Sequence, residues 1–281
     1  MQEMINITFP SGDSREYPTG TTGLQVAESI SAGLAREALG VKVNGKVVDL
    51  RMPLEADAEL QILTWKDEDG QEIYWHSSSH LMAHAIQELY PGAKFGVGPA
   101  IEEGFYYDID IDQVFTPEDL ERIEKKMSEL SKEDKSFERK VLSRKEAMDF
   151  WREKGDQYKL ELIDGFPEDE IISCYSEGSF TDLCRGPHLP SAGRIKYIKL
   201  LTVSGSYWKG DAKNTQMQRI YGIAFPKKKE LDEYLFRLEE ARKRDHRKLG
   251  RELDLFAFHD IAPGAPFWLP RGMILFKELQ K

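Results

Sequence analysis

Eight consecutive residues of this chain alternate without a fault. Phe105, Tyr107, Ile109 and Ile111 fall on one face of an extended segment, and Tyr106, Asp108, Asp110 and Asp112 on the other. A period of two belongs to a β-strand, and four large apolar groups on one side oblige that strand to lie on a core. Any fold for this region must therefore contain a half-buried sheet.

Other segments carry the helical period, so the fold class is α+β. Ile5 to Phe9 alternates as a strand, Ser11-Gly12-Asp13 turns it, Leu24 to Ala32 has a helical pattern, and Val41 to Val48 reads as a hairpin around a type I′ Asn44-Gly45 turn. Glu59 to Thr64 closes as a last strand. That order is the order of a ubiquitin-like β-grasp domain, assigned to residues 1–64. A larger α+β domain follows over 65–225. It opens with the polar linker Lys66 to Gly70 and a helix from about His76 to Leu89, stopped by Pro91-Gly92. Two capping boxes, Thr116 with Asp119 and Ser143 with Glu146, announce helices. Strands are predicted at 136–142, 159–163, 171–176, 194–203 and 216–225. A charged linker helix occupies 226–250, with Leu231, Leu235 and Leu238 as its apolar stripe. Residues 251–281, with Pro263, Pro266 and Pro270, read as the start of another domain.

At 281 residues the chain is long enough for two separate cores. Its formal charge of -10 excludes a generally basic nucleic-acid coat, so any such contact must use a local patch. The most basic run, Arg242 to Lys248, is a candidate together with scattered lysines, against the plainer reading of a solvated helix. Cys174 and Cys184 lie too close in sequence to staple a fold of this size and form no CxxC pair, which suits a reducing, cytoplasmic location. No apolar run approaches the ~20 residues a spanning helix needs, so no membrane contact is expected.

The chemistry concentrates in two pairs of equal spacing, His80 with His84 and Cys184 with His188. On a helix the first spacing puts both imidazoles on one face, able to converge on a water, a metal ion or a substrate group. The second pair spans a Gly186-Pro187 break that suits a loop aimed into a pocket. His76 precedes His80 by the same interval, but near a helix start it is expected to be satisfied by backbone or solvent. Two chemistries fit. His80, His84, Cys184 and His188 could fill a tetrahedral zinc site, or the same groups without metal could position a water and relay its proton. Asp182 could orient an imidazole or bind a hydroxyl or amine, or be a turn residue. Lys159, at the start of the apparent strand Lys159 to Ile163, reads on its own as a surface lysine. Gly96-Val97-Gly98-Pro99 and Ser206 to Asp211 are weaker ligand signals, each explained equally well by a turn.

Taken together these motifs resemble a known family. His80-Leu81-Met82-Ala83-His84, Gly98-Pro99 with Gly104 to Asp108, Asp182-Leu183-Cys184-Arg185-Gly186-Pro187-His188, Tyr207 to Asp211 and Gln218 to Gly222 follow one another as in bacterial threonyl-tRNA synthetases. The resemblance covers the whole chain. It implies a TGS domain at the N-terminus, an editing domain over 65–225, and a linker that leads through Leu253-Asp254-Leu255 and Pro263 to Pro270 into a class II catalytic core. On this resemblance the chain is expected to be the N-terminal part of a longer enzyme. ATP, magnesium, zinc and the homodimer contacts are then expected only in the missing core, with no cofactor in this part.

The activity implied is hydrolysis of serine wrongly esterified to threonine tRNA, with tRNA(Thr) and its seryl ester as partners. Serine lacks one methyl group of threonine, a difference worth only ~1–3 kcal/mol in a pocket, so a second, hydrolytic sieve is needed. The resemblance places His80, His84, Cys184 and His188 in the editing cleft, with Lys159 and Asp182 beside them. His80 and Lys159 would position water and move protons near the ester, and Asp182 would meet the seryl group. Cys184 and the other histidines would exclude the threonine methyl, with no metal bound. The rivals are an alanyl-type editing hydrolase that uses zinc and a non-catalytic tRNA-binding module.

Overall fold

The computed structural model describes residues 3–281, so residues 1 and 2 of the predicted first domain lie outside the described residues. In the N-terminal part the strands are β1 (Met4–Thr8), β2 (Ser14–Pro18), β3 (Thr21–Thr22), β4 (Gly40–Val43), β5 (Lys46–Val48), β6 (Pro53–Leu54) and β7 (Ala58–Leu63). β2-β1-β7-β4-β5 form a mixed sheet in which β1 and β7 run parallel. The predicted helix is α1 (Gly23–Ile30), ended where Ser31 turns extended, and Ser31 caps a second, unpredicted helix α2 (Ala32–Glu37) through Leu34 N–H. Ile5, Ile7, Val26, Ala27, Val41, Leu50 and Leu60 make the core beneath the sheet. Asn44 and Gly45 both have positive φ, as a type I′ turn requires. This is the expected β-grasp.

The larger part begins with α3 (Glu68–Leu89), longer than predicted. Glu68 to Gly70 of the polar stretch read as a linker are its first turn, because Glu68 and Asp69 suit the positive end of a helix. There follow β8 (Lys94–Phe95), β9 (Ala100–Ile101), β10 (Gly104–Asp110), α4 (Pro117–Glu133), β11 (Phe137–Leu142), α5 (Arg144–Glu153), α6 (Gln157–Asp164), β12 (Ile172–Glu177), β13 (Phe180–Leu183), β14 (Tyr197–Tyr207) and β15 (Gln216–Phe225). Both predicted capping boxes form. β14-β15-β10-β8 make one antiparallel sheet, with β9 on β10, and β11-β12-β13 make another. Phe105, Tyr107 and Ile109 of the alternating strand are fully buried, and α3 packs on that strand. Asp108, on the opposite face, is buried too, and Arg219 on β15 pairs with it at 2.7 Å.

The strand predicted at 159–163 is a helix instead. Asp156 accepts from the N–H groups of Tyr158 and Lys159 at 3.1 and 3.2 Å, which starts α6, and Lys159 and Ile163 then share its buried face at the i, i+4 spacing. Five alternating residues were too few to decide between the two periods.

Residues 229–281 form a separate compact unit. The predicted linker helix is two helices, α7 (Lys228–Lys243) and α8 (His246–Glu252), because the Asp245 carboxylate caps the second through Arg247 N–H at 2.7 Å. The hairpin β16 (Phe256–His259) and β17 (Ala262–Trp268) and the helix α9 (Pro270–Leu279) complete it. Among the described residues no helix is long and apolar enough to cross a membrane.

Candidate active site

From Ile73 to Ile86 nearly every side chain of α3 is buried, although the sequence there holds Ser77-Ser78-Ser79 and three histidines. Burying that many polar groups requires a partner for each. Ser77 and Ser78 donate back to the carbonyls of Ile73 and Tyr74, each at 2.8 Å, which satisfies the hydroxyls within the helix. The imidazoles are left to be satisfied by whatever faces the helix.

For His76 and His80 that neighbour is the segment leaving β13. Asp182 is the penultimate residue of the strand, and the loop Cys184–His188 brings a thiol and a third imidazole against the helix. Cys184 Sγ lies 3.0 Å from His76 Nε2 and 3.3 Å from His188 Nε2, and accepts Gly186 N–H at 3.2 Å. Gly186 has φ +70°, and a Cβ there would fall 2.1 Å from the Tyr175 hydroxyl, so only glycine fits. Ser77 Oγ, its proton given to Ile73, accepts from Leu189 N–H at 2.9 Å and stands 3.1 Å from His188 Nδ1. His188 therefore carries its proton on Nδ1 and turns the lone pair of Nε2 to the thiol.

Lys159 reaches the same place from α6. Its ammonium lies 2.6 Å from Asp182 Oδ1 and donates to the Gly96 carbonyl at 2.7 Å. Asp182 also accepts from Leu183 N–H at 2.8 Å and, through Oδ2, a short hydrogen bond from the Tyr107 hydroxyl. His80 Nε2 stands 3.7 Å from the same oxygen.

Burial sets the protonation states. It lowers His76 to about 4 and His80 to about 3, outweighing the pull of Asp182, and holds His188 well below the usual imidazole range. Burial likewise raises the Cys184 thiol to about 12. It opposes ionisation of Asp182 as well, but the charge of Lys159 and the hydrogen bonds from Lys159 and Tyr107 prevail, and that carboxyl sits below its ordinary value. At neutral pH the site thus holds neutral imidazoles, a neutral thiol and one ion pair.

A cleft of about 300 Å³ opens onto these groups. His76, His80, Lys159, Asp182 and Cys184 line it, with Gly96 to Pro99, Leu162, Phe166 and Arg185 around them. Of the residues predicted from sequence, His80, Lys159, Asp182 and Cys184 meet there. His188 stands behind Cys184 without lining the cleft. His84 does not join the group: its ring is fully buried against Glu177, Ser179 Oγ at 3.0 Å and Glu88 at 3.1 Å. The four-donor set is accordingly His76, His80, Cys184 and His188, whose ligand atoms all lie within 4.8 Å of one another. The expected set with His84 was one helical turn out of register. His76, expected near the helix start, lies two turns inside α3, which begins at Glu68. The Tyr107 hydroxyl was missed because the sequence shows only an inward-facing aromatic.

Residues 5–64 match the TGS domain family, and residues 172–221 match the threonyl and alanyl tRNA synthetase second additional domain. The second match contains Asp182, Cys184 and His188. Over 277 residues the chain is 56% identical to the threonine–tRNA ligase of Desulforamulus reducens, covering 99% of this chain and 44% of that protein. Its homologues are threonine–tRNA ligases. The ligase of Caldanaerobacter subterraneus subsp. tengcongensis is 56% identical over 274 residues, 42% of its length, and that of Acetivibrio thermocellus 54% over 278 residues, 44% of its length. The chain thus spans less than half the length of these ligases, while nearly all of it aligns with them.

Proposed function

We propose that this chain belongs to an enzyme that joins threonine to tRNA(Thr) with ATP, and that its residues 65–225 hydrolyse serine wrongly attached to that tRNA. Residues 1–64 are the TGS domain, 226–250 the linker and 251–281 the beginning of a class II catalytic domain. ATP, magnesium, the catalytic-domain zinc and the dimer contacts are assigned to that further domain. The observation that carries the editing reading is the buried Lys159–Asp182 ion pair beside the unprotonated His80, at the floor of a cleft large enough for an aminoacyl ester.

In this reading the seryl ester enters the cleft and a water attacks its carbonyl carbon. His80 and His76, both unprotonated, accept hydrogen bonds from that water and orient it. Lys159, anchored by Asp182 and the Gly96 carbonyl, offers its remaining N–H to the oxygen that gains negative charge. As the ester C–O bond breaks, the proton given up by the attacking water passes by way of His80 to the departing ribose oxygen, and serine and free tRNA leave. Asp182 accepts from Lys159, Leu183 N–H and Tyr107, so it holds Lys159 in place, and the acceptor position left on Oδ2 is available to the seryl group. Threonine is refused because its extra methyl must overpack the cleft wall.

His76, His80, Cys184 and His188 are also a chemically suitable zinc set. The reading here is metal-free hydrolysis, because an ion taking all four donors would keep no open position for water or ester. Single-turnover hydrolysis of seryl-tRNA(Thr) and threonyl-tRNA(Thr) tests the assignment. Loss of serine with threonine spared is expected; no hydrolysis of either would leave a tRNA-binding module as the better account.

A further inference from the structure

The loop that carries Cys184 and His188 is held from outside its own domain. Asp49 follows β5 of the β-grasp, and its two carboxylate oxygens divide between two groups of the larger domain. Oδ1 accepts the backbone N–H of His188 at 2.9 Å, and Oδ2 accepts the hydroxyl of Tyr175 at 2.7 Å. Tyr175 stands on β12, fully buried, with its ring 4.5 Å from that of His188 and its hydroxyl 2.1 Å from where a Cβ on Gly186 would stand. Both ends of the turn Gly186–His188 thus rest on one carboxylate, directly or through one phenol. Burial, and then the charge of Asp49, raise the Tyr175 hydroxyl far above the range in which it would ionise, so it remains a donor.

Among the described residues the other polar contacts between the two domains lie away from this loop. Arg194 donates to the carbonyls of Arg36 and Ala38 at 2.7 and 2.8 Å, closing the C-terminal end of α2, and Arg51 donates to Ser136 Oγ at 3.1 Å. Those contacts dock the β-grasp, whereas Asp49 reaches through the interface to the backbone of a site residue. Releasing His188 N–H would free Nε2 from the Cys184 thiol, and with it the thiol from His76.

We propose that Asp49 is a positioning residue of the cleft: the β-grasp domain sets the register of the Cys184–His188 loop and so the catalytic competence of the neighbouring domain. The proposal rests on the hydrolase reading above for its effect on turnover, though not for its effect on the loop. Geometry errors of this kind at a reacting centre cost large factors in rate while leaving remote binding intact.

The test uses the whole chain with Asp49→Ala, Asp49→Asn, Tyr175→Phe and Arg51→Ala, read by seryl-tRNA(Thr) hydrolysis and by amide hydrogen exchange of the 184–188 segment. Asp49→Ala is expected to lower kcat about ten- to a hundredfold with KM within about twofold, and to speed exchange at 184–188 while the β10 and β15 amides stay protected. Asp49→Asn keeps an oxygen for His188 N–H and should recover most of the rate. Tyr175→Phe should show the same signature more weakly, and Arg51→Ala should match the unmodified chain. Unmodified kcat and exchange in Asp49→Ala would overturn the proposal, as would an equal fall in Arg51→Ala, which would indicate loosened docking in general. If the unmodified chain hydrolyses nothing, the hydrolase reading fails, and faster exchange in Asp49→Ala would still establish the hold on the loop.

Discussion

Lys159 Nζ and Asp182 Oδ1 lie 2.6 Å apart with both side chains almost wholly withdrawn from water. Breaking such a pair from one side strands a buried charge, which costs about 3–5 kcal/mol, whereas replacing both partners by neutral groups of similar shape costs far less. Lys159→Ala should therefore lose both activity and much of its resistance to urea. Lys159→Met with Asp182→Asn should regain most of that stability but no seryl-tRNA hydrolysis. A double variant as active as the unmodified chain would remove Lys159 from the chemistry.

Acid should unfold the larger domain early, through its histidines. His76 and His80 titrate at about 4 and about 3 in the folded chain, against 6.5 when exposed, so below pH 6.5 the unfolded state binds more protons. Stability then falls as pH drops from about 6.5 towards 4, with a slope of about 1.4 kcal/mol per pH unit for each unprotonated imidazole, and His188 adds to it in the same sense. The lowered carboxyl of Asp182 extends the loss further into acid. At the alkaline end Cys184, raised from 9 to about 12, works the other way: stability declines as pH climbs above 9. Urea midpoints across pH 4–10 check this, and His80→Ala should flatten the acid limb.

The sequence made legible whatever rests on local chemistry. The Asn44-Gly45 turn, the Thr116 and Ser143 caps and the alternation of β10 are decided within a few residues, and each stands where it was expected. Cys184 and Asp182 were legible because a short motif carries both. What stayed hidden depended on distant partners. Lys159 on its own reads as a surface lysine, because its carboxylate lies 23 positions away and its own segment is too short to fix a period, and only the family resemblance puts it in the cleft. His76 and His84 exchanged roles because three histidines at equal spacing do not reveal which of them the loop will face. Asp49 carried no signal at all, since its partners Tyr175 and His188 belong to another domain.

His84 gives a sharp contrast with His80. Its Nδ1 makes a short contact with Glu177, whose other carboxylate oxygen is buried without a hydrogen-bond partner among the described residues. His84→Ala would leave that carboxylate further exposed to an apolar surrounding, and a loss of about 3 kcal/mol or more is expected. The folded fraction should nevertheless hydrolyse seryl-tRNA close to the unmodified rate, whereas His80→Ala should lose about a hundredfold with little change in fold. Equal activity losses in the two variants would return His84 to the cleft.

Zinc provides the last contrast, between His76 and His84 as donors. The spacing of His80 and His84 invites a metal set that the geometry denies, since the imidazoles that approach the thiol are those of His76 and His188. If hydrolysis runs on positioned water, chelators should leave it unchanged. Added zinc should then inhibit, because it would draw His76 and His80 away from the cleft and require the Cys184 thiol, which burial keeps protonated up to about 12, to give up its proton. Zinc binding followed by calorimetry should release a proton, weaken in His76→Ala and Cys184→Ser, and persist in His84→Ala. Loss of activity on chelation, restored by zinc, would instead make this site a metal-dependent hydrolase.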